Sequence, residues 1–261
     1  MDKRIVLITG AGIGIGRASA LTFGAQGDHV IVTDVLEEKG KAVVAEIEAA
    51  GGSAEFHLLD VRSTKAADAL VHDLNTRFGG VDVIVANAGI ALRVPMSEMT
   101  DETWHETLDV DLYGMLRVIR PALPAMKQGA SIICLSSIMG VAYGWDEHVH
   151  YSSAKAGLIG LTQVLAKEWG RYGVTVNCVA FGLIGTRLGT IKSSTTRVRI
   201  GGEDVSVGMN SDLHKDLQSR IPLGRVGTVE EAAGAVYLFC TPESDYISGQ
   251  TVLCSGGLTS I

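Results

Sequence analysis

Thr9-Gly10-Ala11-Gly12-Ile13-Gly14-Ile15-Gly16 joins a short apolar run at residues 4–9 to a stretch with helical spacing. An apolar run ending in a glycine cluster reads as a strand turning sharply into a helix. Glycine lets the main chain approach a ligand closely, and the N–H groups that open a helix form an anion site. The spacing is Gly10-x-x-x-Gly14-x-Gly16, not the G-x-G-x-x-G of the standard dinucleotide fingerprint. Its place after the first strand of a βαβ unit still marks it as a pyrophosphate turn, lined by Gly10, Gly12, Ile13, Gly14, Ile15 and Gly16.

Outward from this turn the same alternation repeats. Strands are expected at 4–9, 29–34, 55–60, 81–86, 131–136, 174–180 and 250–254. Most are near-continuous apolar runs, as parallel strands covered on both faces require. Between them lie helical stripes: Ala67, Leu70, Val71, Leu74 and Phe78 share one face, and Val43, Ile47 and Ala50 another, ending at Gly51-Gly52. Thr228 and Glu231 are spaced as a capping box. Strands alternating with helices, joined by right-handed crossovers, give an α/β fold. The expected architecture is a doubly wound, Rossmann-type, seven-stranded parallel sheet with helices on both faces, one domain over 1–261. Residues 187–220 break the pattern as an irregular insertion, read as a substrate lid. Within it, 195–200 and 204–209 flank Gly201-Gly202-Glu203 as a small hairpin that would present Arg197 and Arg199 on one face. These arginines could meet an anionic substrate, or the hairpin could be solvated or lie between subunits.

Composition narrows the function classes. The chain of 261 residues is 46% hydrophobic and 20% charged, with 32 Gly and 5 Pro, which suits a large core with many tight turns. The net charge is −7 and no block of Lys or Arg forms a stripe, which argues against nucleic acid as a partner. The apolar runs fall short of the roughly 20 residues of a membrane helix, and no leader pattern precedes the first strand. Cys134, Cys178, Cys240 and Cys254 sit in apolar runs without C-x-x-C pairing, as reduced thiols do. The cytoplasm is the expected location. His105, His148, His150 and His214 lack metal-ligand spacing, so no metal is expected.

The second expected strand ends in Asp34. A carboxylate there can accept hydrogen bonds from ribose hydroxyls and repels a 2′-phosphate. With no Arg or Lys at 35 or 36, the cofactor reads as NAD. Tyr151 and Lys155 lie one helical turn apart. An ammonium beside a phenol favours the phenolate, drawing its titration toward working pH so that it can exchange a proton with a substrate oxygen. Ser136 and Ser137 end the fifth strand, where a hydroxyl can meet the same oxygen.

Together these residues resemble the short-chain dehydrogenase/reductase family, in its simpler length class. The resemblance runs along nearly the whole chain: the glycine turn, Asp60-Val61, Asn87-Ala88-Gly89, Ser137 fourteen residues before Tyr151, Lys155, Val176-Asn177 with Gly182 and Thr186, Tyr246-Ile247-Ser248-Gly249 and Gly256-Gly257. It implies Tyr151 as acid/base. Lys155 lowers its pKa and binds the nicotinamide ribose, while Ser137 orients the substrate oxygen. It also implies Asp60 and Val61 at the adenine, Asn87, Ala88 and Gly89 along the cofactor, Ile184 and Thr186 beside the carboxamide, and a homotetramer without metal. Three positions depart from the pattern. Asp111 occupies the slot of the family's catalytic Asn, and an ionised Asp accepts where Asn also donates. Phe181-Gly182 replaces Pro-Gly, and Ser255 replaces the Asp before the terminal Gly-Gly.

The substrate pocket is expected from residues 90–96, 138–150 and the insertion. Tyr143, Trp145, Asp146, Glu147, His148 and His150 suit an oxygenated or aromatic molecule. The expected reaction moves a hydride between NAD(H) and a secondary alcohol or ketone (a polyol, sugar, or aryl or alicyclic alcohol). NAD would favour oxidation of the alcohol. A non-catalytic NAD-sensing protein on the same fold is the alternative.

Overall fold

The structure, a computed structural model, describes residues 3–186, 189, 197–200, 203–206 and 211–259, with backbone alone for the 197–200 and 203–206 segments and Leu213. Seven strands form one parallel sheet: β1 (Ile5–Thr9), β2 (His29–Asp34), β3 (Ser53–Leu58), β4 (Val83–Ala86), β5 (Ser131–Ser137), β6 (Thr175–Phe181) and β9 (Thr251–Cys254). Their order is β3-β2-β1-β4-β5-β6-β9, every pairing parallel. The order reverses between β1 and β4, and such a switch point opens a crevice at the carboxyl ends of the strands.

Successive strand residues point to opposite faces and sort the core into two layers. Leu7, Ile31, Ile84, Ile132 and Val176 pack with α3 (Thr64–Phe78), α5 (Gly114–Ala122) and α6 (Val149–Trp169). Val6, Val30, Val32, Val85, Ile133 and Val179 pack with α1 (Gly14–Ala25), α2 (Glu37–Ala49) and α8 (Val229–Leu238). The Thr228–Glu231 capping box opens α8 as expected, and Gly51, at φ +83°, follows the end of α2.

Local boundaries differ from the sequence reading. β3 runs Ser53–Leu58 rather than 55–60, because the ladder with β2 stops where Asp34 pairs Leu58. β4 starts at Val83 rather than at 81. The helical segment after β4 is not one α-helix: α4 (Asp101–Leu108) passes through a π turn, Asp109–Tyr113, into α5. In the insertion, β7 (Arg197–Ile200) pairs antiparallel with β8 (Glu203–Ser206). The hairpin exists, but Glu203 pairs with Ile200 and belongs to the second strand, not to the turn. Residues 195, 196, 201, 202 and 207–209, and the side chains of Arg197 and Arg199, lie outside the described residues. α7 (Ser211–Ser219) closes the insertion, and its Leu217 packs with Ile221, Leu183, Tyr143 and Trp145.

Candidate functional site

The glycine turn is shaped by the chain itself. Gly10 and Gly14 have φ of +62° and +58°, in the left-handed region that glycine enters without cost. Gly16 is required for another reason: a Cβ there would lie 2.3 Å from the Gly10 carbonyl and 2.5 Å from Asn87 Nδ2. Asn87 clamps the turn to β4. Its amide donates to the carbonyls of Thr9 (2.7 Å) and Gly10 (2.9 Å), while the Thr9 hydroxyl accepts from the N–H groups of Asn87 and Ala88 at 3.0 Å. α1 then opens at Ile13 with no side-chain cap and no acidic residue in its first turn. Its leading N–H groups are therefore directed at the crevice, where an anion can satisfy them. The cradle fits a dinucleotide pyrophosphate.

Asp34 is buried at the end of β2, accepting from the N–H of Gly12 and of Leu36 at 2.8 Å each. A carboxylate has about four acceptor sites, so ribose hydroxyls can still be accommodated. Lys39, a cation that positions 35 and 36 did not foretell, sets the base of its side chain against Gly12 and is itself exposed. Asp60 pairs with Arg62 at 2.6 Å, and that hydrogen bond, against burial, holds its carboxyl below the usual range. Val61 is buried under the sheet edge. Ile184 is buried and bridges Gly227, and the Thr186 methyl faces Gly14, so the segment after β6 lies over the glycine turn. Phe181 joins the core layer of α1 and α8. Asn177 is a structural clamp, donating to the Ile247 carbonyl at 2.7 Å and accepting from Gln250 N–H.

The second half of the crevice gathers Ser137, Tyr151, Lys155 and Asp111. The π turn directs Asp111 inward, as such one-residue expansions often do at functional sites. Asp111 Oδ1 accepts from Ile90 N–H at 2.7 Å, and Oδ2 lies 3.1 Å from Lys155 Nζ. The two side chains are 0% and 5% exposed. Lys155 Nζ also donates to the Leu135 carbonyl at 3.1 Å and stands 5.5 Å from the centre of the Tyr151 ring. Opposite charges at this separation attract by about 5 kcal/mol at an effective dielectric of roughly 20, set against a desolvation cost of several kcal/mol for each ion. Gly89 makes room: a Cβ there would lie 3.0 Å from Asp111 Oδ2 and 3.3 Å from Lys155 Nζ.

The electrostatics correct one expectation. Burial pulls Lys155 down, but Asp111 and Tyr151 outweigh it and the ammonium stays above its usual value. Burial pushes the Asp111 carboxyl up, and Lys155 and the Ile90 N–H oppose it only in part, so it stays above its usual value. For Tyr151, burial pushes the phenol up, Lys155 pulls it down and Asp111 pushes it up again. The net phenol value lies above the ordinary one, not below it, despite hydrogen bonding with Ser137.

A wall of rings leads to Tyr151. Tyr143 and Trp145 pack edge to face at 6.4 Å, as do His148 and Tyr151 at 6.2 Å, while Trp145 and His148 are tilted at 5.8 Å. His148 Nδ1 is 2.8 Å from the Asp146 carbonyl, which can only accept, so Nδ1 carries the proton and Nε2 is left as an acceptor. Burial holds His148 below its usual pKa. Glu147, the residue before it, takes φ +65° and is latched by Arg93 at 2.8 Å and by Val94 N–H to its carbonyl. Such strain clusters at functional sites. Sequence reading missed this latch, the Thr9 acceptor and the Ile90 donor. Arg93 and Glu147 are 54 residues apart, and backbone donors leave no mark on a sequence.

The two halves share one loop. Asn87 touches the glycine turn, and Gly89, two residues on, touches the Asp111–Lys155 pair. Among the described residues no group of three or more His, Cys, Asp or Glu is arranged to hold a metal ion, and no helix is long and apolar enough to cross a membrane.

Comparisons with known proteins identify the fold and the family. Residues 10–259 match the model of a family described as Enoyl-(Acyl carrier protein) reductase. The 3-oxoacyl-(acyl-carrier-protein) reductase of Thermotoga maritima is 32% identical over 260 residues, 99% of this chain and 98% of that protein. The reductase of the same name from Escherichia coli is 32% identical over 98% of each. A dehydrogenase/reductase from Sinorhizobium meliloti superposes with a TM-score of 0.88 at 29% identity, covering 100% of this chain and 96% of that one. A short-chain dehydrogenase/reductase from Brucella melitensis, titled glucose/ribitol dehydrogenase, gives 0.84 at 29% identity over 99% and 97%. The chain belongs to the short-chain dehydrogenase/reductase family of oxidoreductases, which bind a nicotinamide cofactor.

Proposed function

We propose that this protein is an NAD(H)-dependent oxidoreductase interconverting a secondary alcohol and a ketone, with Tyr151 as general acid/base. The observation that carries the reading is the shared loop: Asn87 holds the pyrophosphate turn and Gly89 borders the pair beside Tyr151. A bound nicotinamide supplies or takes the hydride. Tyr151 gives a proton to, or takes it from, the substrate oxygen, and Ser137 holds that oxygen. Lys155, fixed by Asp111 and the Leu135 carbonyl, orients the nicotinamide ribose and biases the phenol. Gly10, Gly12, Ile13, Gly14, Ile15 and Gly16 take the pyrophosphate. Asp34 takes the adenosine ribose, which favours NAD; Asp60 and Val61 border the adenine; Ile184 and Thr186 flank the carboxamide.

The ring wall supports a cyclic or aromatic substrate carrying a hydroxyl that His148 Nε2 can accept. The insertion, with Leu217 against Tyr143 and Trp145, acts as the lid. Leu238, Tyr246 and Val252 are exposed near the β9 edge, which supports a homo-oligomer such as a tetramer, and the cytoplasm is the inferred location. The names of the two reductases favour a second substrate reading, a 3-oxoacyl thioester.

The test is a spectrophotometric screen of NADH and NADPH turnover with cyclic ketones, sugars, polyols and acetoacetyl thioesters, for the wild type and Tyr151→Phe. The variant is expected to lose about 10²–10⁴-fold in turnover and to bind NAD as before by calorimetry. NAD binding without turnover by the wild type on any substrate would favour the sensor; turnover confined to thioesters would favour the second reading.

A further inference from the structure

Tyr151 has one cation beside it, and that cation is already matched. Asp111 Oδ2 lies 3.1 Å from Lys155 Nζ, whereas the centre of the phenol ring is 5.5 Å away. An ion pair presents a dipole to the phenol, and a dipole's influence fades faster with distance than that of a lone charge. We infer that Asp111, by pairing with Lys155, weakens the pull of that ammonium on Tyr151 and so leaves the half-buried phenol a proton donor, a site built to reduce a carbonyl and to continue doing so in alkaline solution. The inference rests on the proposed oxidoreductase reading and opposes the oxidative direction that NAD alone suggests.

The other groups facing the pair do not alter the balance. From β5 come Ser137 and Cys134, from β6 Cys178, and from the loop before α6 His148. Burial pushes the Cys134 thiol up to about 12 and the Cys178 thiol to about 11, so both are neutral. Burial keeps His148 neutral as well. Among the described residues facing Tyr151, Lys155 and Asp111 carry the charge. The Ile90 N–H on Oδ1 and the ammonium at Oδ2 favour the carboxylate form of Asp111 against burial, which raises its pKa. In the reductive step the carbonyl carbon accepts a hydride, with its two electrons, from the reduced nicotinamide. The C=O π pair moves to oxygen, the Tyr151 O–H bond breaks, and its proton joins that oxygen. The alcohol leaves, and water returns the proton to the tyrosinate. Oxidation needs the tyrosinate at the outset, a form that is scarce while the phenol is held above its ordinary value.

The test is Asp111→Asn, which keeps the shape and removes the charge. Tyrosinate ultraviolet absorbance is titrated without cofactor or substrate in the wild type, Asp111→Asn and Tyr151→Phe, the last subtracted to isolate Tyr151. The Tyr151 midpoint is expected to fall by about one pH unit or more in Asp111→Asn. The alkaline limit of carbonyl reduction should fall with it, and alcohol oxidation should begin at correspondingly lower pH. Equal midpoints would overturn the inference, since they mean Asp111 is an uncharged acid; so would a reduction limit that does not move. If Asp111→Asn does not fold, the same titration is made with Asp111→Ser, where a lower Tyr151 midpoint than in the wild type supports the inference and an equal one overturns it. A wild type that turns over no substrate fails the oxidoreductase reading instead, and the titration still reports on the pair.

Discussion

The two halves of the crevice are secured by opposite means. Around the glycine turn, apart from the N–H groups that open α1, the chain ties its polar groups with neutral or singly charged hydrogen bonds: Asn87 to two carbonyls, Thr9 from two N–H groups, Gly12 and Leu36 to Asp34. Around Tyr151 the chain buries groups it does not fully satisfy. Asp111 Oδ2 has the Lys155 ammonium at 3.1 Å but no well-directed hydrogen bond, and both ring nitrogens of His150 lack partners among the described residues. One half is a rigid mould, set before any ligand arrives. The other is a balance of buried charges that can be tipped, which is what proton transfer needs. Shape is cheap to build from backbone amides, whereas charge in a dry interior persists only in company.

The largest expected effect breaks that company. Lys155→Met leaves Asp111 buried and unpaired, and it should cost about 3–5 kcal/mol of stability in urea unfolding. A loss below about 1 kcal/mol would mean that Asp111 already carries a proton, erasing the contrast between the halves. Asn87→Ala probes the mould. Losing an amide that serves two carbonyls should cost about 1–3 kcal/mol and weaken NAD binding in calorimetry. Unchanged NAD affinity would show that the turn keeps its shape without the clamp. Asp34→Asn should have the smallest effect. It keeps one acceptor for Gly12 or Leu36, should cost about 1 kcal/mol, and should narrow the preference for NAD over NADP about tenfold, a change of about 1.4 kcal/mol. A preference that survives would move the discrimination to Lys39 or elsewhere.

The sheet was legible because it is written locally. Each strand is an apolar run, each helix carries a periodic stripe, and Thr228 with Glu231 marks a helix start on its own. Strand ends were less so: the apolar character continues to Leu59, while pairing stops at Leu58 because β2 has ended at Asp34. In the site, positions were legible and signs were not. Tyr151 and Lys155 are neighbours on one helix, so an ammonium beside a phenol could be read off. Burial, which outweighs that ammonium, is set by the packed fold, and the carboxylate that adds to it comes from 44 positions before Lys155, on a turn whose π geometry no spacing announces. The same holds for Lys39, which meets Gly12 only because α2 packs beside α1 at the glycine turn.

That wide turn, Asp109–Tyr113, has a consequence for how the chain can vary. It carries one residue more than a regular helix would. Excising one would rotate everything on one side by about 100°. Either Asp111 would swing out of the crevice, or the row Met115, Val118, Ile119 and Ala122 would leave its seat on the sheet. Length is thus fixed here as firmly as identity: substitutions can be absorbed one by one, but a codon gained or lost would force the molecule to choose between its chemistry and its floor.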